Sequence, residues 1–512
     1  MIRRPLAGIL AAATAGLTMA LTASMGAGPA AANTYFPISG TGSTWSENAL
    51  KQWRSNVARN YAMTINYSGA GSTSGRRDFI DGTVDFAISE IPFQSRPEDG
   101  SAPEKPAHGY AYMPIVAGGT SFMYNLKISG KRVTNLRLSG DTITRMFTGA
   151  ITNWNDAAIQ ADNPALAMPN KKIVPVIRSD GSGTSAQFTL WMSTQYPNIW
   201  KTGMTSQFPS FGNSKAQKGS DGVSGYVSQN YGEGAITYVE YSYAKKAGFP
   251  VAKVLNKSGY YIEPTAYSVA VAMLSAKINT DTSSKSYLTQ ILDGVYNSTD
   301  KRAYPLSSYS YAIVPTEVAG IFNTNKGNTL AAFMRYVLCE GQQQADTLGY
   351  SPLPMNLVLA GSDQIKRIPG SGGKGVDTSK CNNPTFKAGD SPSKNQLALI
   401  APQPASCDKK GTSQCKTGTA GAKQDTAVTG TGTGGTANTG TTTGTTGTDE
   451  NGNPVTGSTT GDGATSSPFT LPDQGMGSSQ WLMVASALLL VAAVVVPPLV
   501  SRRLRTGSGD AH

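Results

Sequence analysis

Three times the chain runs from an apolar stretch, through a turn of Gly, Ser and Thr, into residues at helical spacing. Tyr35-Phe36-Pro37-Ile38 leads into Ser39-Gly40-Thr41-Gly42-Ser43-Thr44-Trp45, after which Ala49, Leu50, Trp53, Val57 and Tyr61 mark a helix face. Thr64-Ile65-Asn66-Tyr67 leads into Ser68 to Gly75 and a short helix through Phe79 and Ile80; the strand Val84 to Ser89 follows, ending at Glu90. Lys172 to Ile177 leads into Arg178-Ser179-Asp180-Gly181-Ser182-Gly183-Thr184-Ser185 and a helix over Ala186 to Met192. A strand, a glycine turn and a helix start aim free backbone N–H groups and a helix dipole at one point. Repeated three times, the unit reads as an oxyanion cradle.

The third turn is the richest. Its glycines allow close backbone approach, Ser182 and Thr184 add hydroxyl donors, and Arg178 brings a fixed cationic fork that Asp180 is near enough in sequence to hold. Arg178 is the only cation inside the three turn cores, provided Arg76 and Arg77 face outward on their helix. Other chemistries fit poorly. Gly40-x-Gly42 continues to Trp45 where a dinucleotide fingerprint needs glycine, no turn reads Gly-Lys-Ser/Thr, and none reads G-x-S-x-G. With His108 and His512 the only histidines, Ser-His-Asp catalysis and histidine metal sites are disfavoured, and His108 is expected at the surface. No catalytic residue, metal or cofactor is expected: the pattern suits binding, not an enzyme.

The flanks set the organisation. Residues 1–32 have the charged start, apolar stretch and small-residue end of a signal peptide, with no following cysteine to lipidate. Residues 476–500 contain the uncharged span Trp481 to Val500, long enough for a transmembrane helix, and 501–512 form a basic tail that stays cytoplasmic by the positive-inside rule. Residues 416–475, mostly Gly, Thr, Ala and Ser, read as a disordered stalk that spans about 45 Å at about 5–6 Å × √n for about 60 residues. Leu471-Pro472-Asp473-Gln474-Gly475 resembles a sortase sorting signal in layout, but Gln474 replaces the usual threonine, so a retained membrane helix is expected. All four cysteines lie in the C-terminal part of the ectodomain; of three possible pairings, Cys339–Cys381 with Cys407–Cys415 is the expected one. Net charge is +11 without basic runs, so nucleic acid is not the expected partner.

Taken in order, several stretches resemble the PstS family, the phosphate-binding proteins that feed the phosphate ABC importer. They are Gly40 to Trp45, Tyr67 to Glu90, Ile151 to Asp156, Arg178 to Thr184, and Gly234 to Glu240 with Tyr243-Ala244. The resemblance implies an α/β, two-lobed periplasmic-binding-protein fold (type II, Venus-flytrap) over residues 33–360, with lobe I about 33–115 and 265–360 and lobe II about 116–264. A Cys-containing extension, 361–415, then precedes the stalk and helix. The resemblance implies phosphate held by Thr44, Trp45 (through its backbone N–H), Ser72 and Glu90 from one lobe. Arg178, Ser182, Gly183 and Thr184 would bind from the other, with Asp180 orienting Arg178. Trp45 stands where the family has phenylalanine, and Glu90 where it has aspartate; the alternative at that strand end is that Glu90 faces solvent and Ser89 lines the cleft. The expected protein is a tethered extracellular phosphate receptor for an importer permease. A surface adhesion or phosphate-sensing protein is the runner-up, and a phosphatase or phosphotransferase stands behind it.

Overall fold

The computed structural model describes residues 35–422. The segments expected to form the signal peptide, most of the stalk, the transmembrane helix and the basic tail lie outside the described residues. Among the described residues no helix is long and apolar enough to cross a membrane.

Apolar spacing sets the first units. Strand β1 (Ile38–Gly42) lies between β2 (Ile65–Ser68) and β3 (Phe86–Ser89), parallel to both, with Ile38 opposite Ile65 and Gly40 opposite Phe86. Residues 39–42, assigned to a turn by composition, are therefore strand. Gly40 has a packing reason: a Cβ there would sit 2.4 Å from the Phe86 ring. Helix α1 (Glu47–Tyr61) follows and buries Ala49, Leu50, Trp53 and Val57 on one face. Helix α2 (Ser72–Ile80) follows β2.

Strand β4 (Tyr110–Tyr124) links the halves of the molecule. Its first part pairs antiparallel with β9 (Ser307–Pro315), from Tyr110–Pro315 to Gly119–Ser307. Its last part pairs with β7 (Ala235–Glu240), from Thr120–Glu240 to Tyr124–Ile236. One strand thus passes from one sheet half to the other at Gly119-Thr120. Beyond it, β5 (Val174–Arg178) is parallel to both β7 and β6 (Lys215–Gln217), and helices α3 (Gly183–Gln195) and α4 (Gly219–Ser228) follow β5 and β6. Strand β8 (Val251–Leu255) pairs with the end of β4.

Separate cores mark two lobes. Trp53, Val57, Phe86, Ile88, Ile313 and Phe333 share one; Phe122, Ile177, Phe188, Trp191 and Tyr238 share another. In each lobe the carboxyl ends of the parallel strands lead into glycine turns and helix starts, where an open α/β sheet offers its crevice. The protein is a two-lobed α/β fold.

The C-terminal extension touches both lobes. Cys339–Cys381 and Cys407–Cys415 are the two disulfides. Phe386 joins the first core, while Leu397, Ala398 and Ala401 join the second. Buried Arg137 clasps the second disulfide loop, donating to the carbonyls of Cys407 at 3.1 Å and Ser413 at 2.7 Å. Residues 416–422, assigned to the stalk by composition, stay on the body: Thr419 N–H donates to the Thr134 carbonyl at 3.1 Å, and Ala420 N–H to Glu263 Oε1 at 2.7 Å. Their sequence is polar, yet Ala420 joins a buried cluster with Val239 and Val251, and Thr419 Oγ1 accepts the Val251 N–H at 2.9 Å. His108 is exposed, 3.1 Å from Glu317.

Candidate functional site

The first turn leaves β1 into α1. Tyr67 donates its hydroxyl to the Ser43 carbonyl at 2.7 Å, and Tyr243 donates to the Thr44 carbonyl from the other lobe. These bonds fix the turn and present the Thr44 side chain to lobe II, where Thr44 Oγ1 lies 2.8 Å from Ser220 Oγ and accepts the Ser220 N–H at 3.1 Å. The Trp45 N–H donates to Ser43 Oγ at 2.9 Å, and its ring is fully buried, edge-on to Tyr350. An indole in place of phenylalanine therefore packs at the lobe junction.

Glu90 directly follows β3 and has no exposed surface. Its Oε2 accepts the Ser72 hydroxyl at 2.8 Å and its Oε1 accepts the Ser310 hydroxyl at 2.7 Å. Gly183 N–H, at the start of α3, donates to Ser72 Oγ at 3.1 Å. A Cβ on Gly183 would come within 1.9 Å of Glu90 Oε2, so glycine is what lets the helix end approach the carboxylate. Burial pushes the Glu90 carboxyl above its ordinary value, with hydroxyls of Ser43, Ser310 and Ser72 and the charge of Arg178 pulling the other way. Ser89 does not line the cleft in its place: its hydroxyl turns back to the Ile91 carbonyl at 2.7 Å.

Arg178, at the end of β5, is 3% exposed. Its Nε donates to Asp180 Oδ1 at 2.8 Å and Nη2 donates to Oδ2. Asp180 Oδ1 also takes the Gly219 N–H at 2.9 Å. Burial alone would raise the Asp180 carboxyl; the Arg178 pairing outweighs it and holds the group below its ordinary value. Arg178 Nη1 is left to face Thr184 Oγ1 at 3.4 Å and Ser220 Oγ at 3.5 Å. Ser182 caps α3, accepting the Ser185 N–H at 3.2 Å.

The structure thus brings Ser72, Glu90 and Gly183 together, and Thr44, Arg178 and Thr184 together around Ser220. Trp45 and Ser182 stand beside them with N–H and hydroxyl engaged locally. Arg76 does not face outward as expected: it is buried, donating to both oxygens of Glu104 at 2.7 and 3.1 Å. A carboxylate from the next loop covers it, which helix spacing alone does not reveal. Arg77 is exposed and pairs with Asp99. Sequence reasoning missed Ser220 and Ser310. Gly219-Ser220 does open a helix after a strand, but that strand has three largely exposed residues, Lys215–Gln217, and no apolar run to flag it. Ser310 lies inside β9 with nothing local to mark it.

A family model described as a PBP superfamily domain matches residues 27–340. The phosphate-binding protein PstS of Xylella fastidiosa is 31% identical over 325 residues, 63% of this chain and 82% of that protein. The chain belongs to the PstS family. Its relative in Haemophilus influenzae, also named phosphate-binding protein PstS, is 30% identical over 332 residues, covering 64% of this chain and 92% of that one. A solved high affinity periplasmic phosphate-binding protein bound with phosphate is similar at 19% identity and a TM-score of 0.48, over 63% of this chain and 92% of that chain. The match to the PBP superfamily domain ends at residue 340, so both disulfides close beyond its limit.

Proposed function

We propose that this chain captures inorganic phosphate at the cell surface, through Thr44, Trp45, Ser72, Glu90, Arg178, Ser182, Gly183 and Thr184, and hands it to an ABC importer permease. The observation that carries the reading is the environment of Glu90. It is a buried carboxylate among hydroxyls, a helix N-terminus and one guanidinium, and its oxygens accept the hydroxyls of Ser72 and Ser310 at 2.8 and 2.7 Å. Asp180, by contrast, is saturated by Arg178 and Gly219. Phosphate near neutral pH keeps at least one proton, and Glu90 can accept its hydrogen bond; sulfate has none to give, so the carboxylate repels it. Hydrogen bonds to charged groups contribute about 1.5–3 kcal/mol each, and micromolar affinity needs about 8 kcal/mol, so several such bonds also offset desolvation and closure. The site gathers hydroxyls, one arginine and one carboxylate, which fits binding of an oxyanion that carries a proton.

In this reading the signal peptide sends residues 33 onward outside, residues 423–475 form the stalk, 476–500 anchor the chain, and 501–512 remain cytoplasmic. Isothermal titration with phosphate, arsenate, sulfate and molybdate tests the ligand assignment. Heat of binding from phosphate and arsenate alone supports it; no response to phosphate overturns it in favour of an adhesion role.

A further inference from the structure

The loop between β3 and β4 is pinned to α2 at two points. Arg76 holds Glu104, whose Oε2 also accepts the Gln94 N–H at 2.7 Å, and Arg77 Nη2 holds Asp99 Oδ2 at 2.6 Å. Next to the Asp99 pin the loop extends Glu98 to the opposite lobe. There its Oε1 accepts both the N–H and the hydroxyl of Ser206. Ser206 is 2% exposed and touches both helix starts: its carbonyl accepts the Ser182 N–H at 3.0 Å, and its hydroxyl lies 3.2 Å from Thr73 Oγ1 on α2. A single carboxylate of lobe I therefore grips a residue that contacts both the cap of α3 and the first turn of α2.

We propose that Glu98 is the latch of the phosphate site, a positioning residue that keeps the lobes closed over bound phosphate and sets its release rate. The inference rests on the phosphate reading above. The Glu98–Ser206 bonds join the two lobes, so they exist only while the cleft is shut. Phosphate entering an open cleft does not meet them; phosphate leaving a closed one must wait until they break. They therefore act on dissociation and leave association nearly untouched. Burial works against the charged Glu98 carboxyl, but the Ser206 hydroxyl and N–H and the Arg76 charge outweigh it and hold it below its ordinary value, so the latch is ionised at neutral pH. Hydrogen bonds to an ionised group are the strong kind, large enough to change a rate on the order of tenfold or more.

Stopped-flow tryptophan fluorescence on the full chain, with inorganic phosphate, separates the two rates. Glu98→Ala is expected to raise the dissociation rate on the order of tenfold and leave the association rate within about twofold. Glu98→Gln, which keeps an acceptor oxygen but no charge, should fall between it and wild type. Once Glu98 is alanine, adding Ser206→Gly should raise the rate less than it does in wild type, because only the Ser206–Thr73 contact is left to lose. A wild-type chain that binds phosphate, with Glu98→Ala releasing it at the wild-type rate, overturns the latch alone. Equal changes in both rates, or a lowered melting temperature with unchanged kinetics, would make Glu98 merely structural. A wild-type chain that fails to bind phosphate overturns the phosphate reading and the latch with it.

Discussion

The Ser72 hydroxyl accepts the Gly183 N–H at 3.1 Å and donates to Glu90 at 2.8 Å, so the first residue of α2 in one lobe is joined to the first residue of α3 in the other. Two helix N-termini meet over one carboxylate. Each would be an ordinary helix start alone; opposed, they concentrate donors where an anion is expected.

Arg178 is the cation of that site. Arg178→Ala should weaken phosphate binding by about 2–4 kcal/mol, within the range for truncating a buried, hydrogen-bonded charge. It also leaves Asp180, with a side chain 9% exposed, facing only Gly219, so melting temperature should fall as well. Adding Asp180→Asn should recover the melting temperature but not the affinity. Calorimetry separates the two effects, and recovery of both would remove Arg178 from the site.

Much of this cradle was legible because strand, turn and helix are contiguous in the sequence. Arg178 to Thr184 carries its own strand end, glycines and cap, and Asp180 lies two residues from the arginine it holds. What was not legible depends on distant chain. Ser310 reaches Glu90 across a separation of 220 residues, and Ser220 reaches Thr44 across 176. Neither leaves a local periodicity. The burial of Arg76 depends on Glu104, which returns from a loop 28 residues later. Residues 39–42 looked like turn because glycine has low strand propensity, yet two parallel neighbours and the Phe86 ring decide otherwise.

The Arg76–Glu104 pair, with side chains 1% and 2% exposed, should be costly to break on one side. Glu104→Ala strands a buried guanidinium and should destabilise the fold by about 3–5 kcal/mol, whereas Arg76→Met with Glu104→Leu should cost much less. Urea unfolding of both variants measures the difference. A single variant no worse than the double would show that the ion pair does not anchor the loop.

Buried Glu90 and Glu240 should make the ligand-free protein less stable as pH rises. Burial is the first cause in each, and it raises the folded-state value. The unfolded chain then loses its protons first, so the folded state holds more protons and stability falls with rising pH, from the ordinary carboxylate range up through the raised values. The Asp180 and Glu98 carboxyls shift oppositely, so variants are compared with wild type. The melting-temperature advantage of Glu90→Gln over wild type should grow as pH rises above the ordinary carboxylate range. A constant offset would mean the carboxyl is not held up by burial.

Tethering is tested by fractionation. The full chain should sediment with membranes, while deletion of residues 476–512 should release a folded, phosphate-binding protein into the medium. Retention of the truncated form on the cell would place the anchor elsewhere.

The most direct test of the account is selectivity at Glu90, measured by isothermal titration of wild type and Glu90→Gln with phosphate and sulfate near neutral pH. Wild type should bind phosphate and give no heat with sulfate. Glu90→Gln should narrow that gap, because an amide can donate to an oxyanion that brings no proton. If Glu90→Gln leaves both phosphate affinity and sulfate rejection unaltered, Glu90 does not sense the phosphate proton. If wild type accepts sulfate as readily as phosphate, the central claim is contradicted.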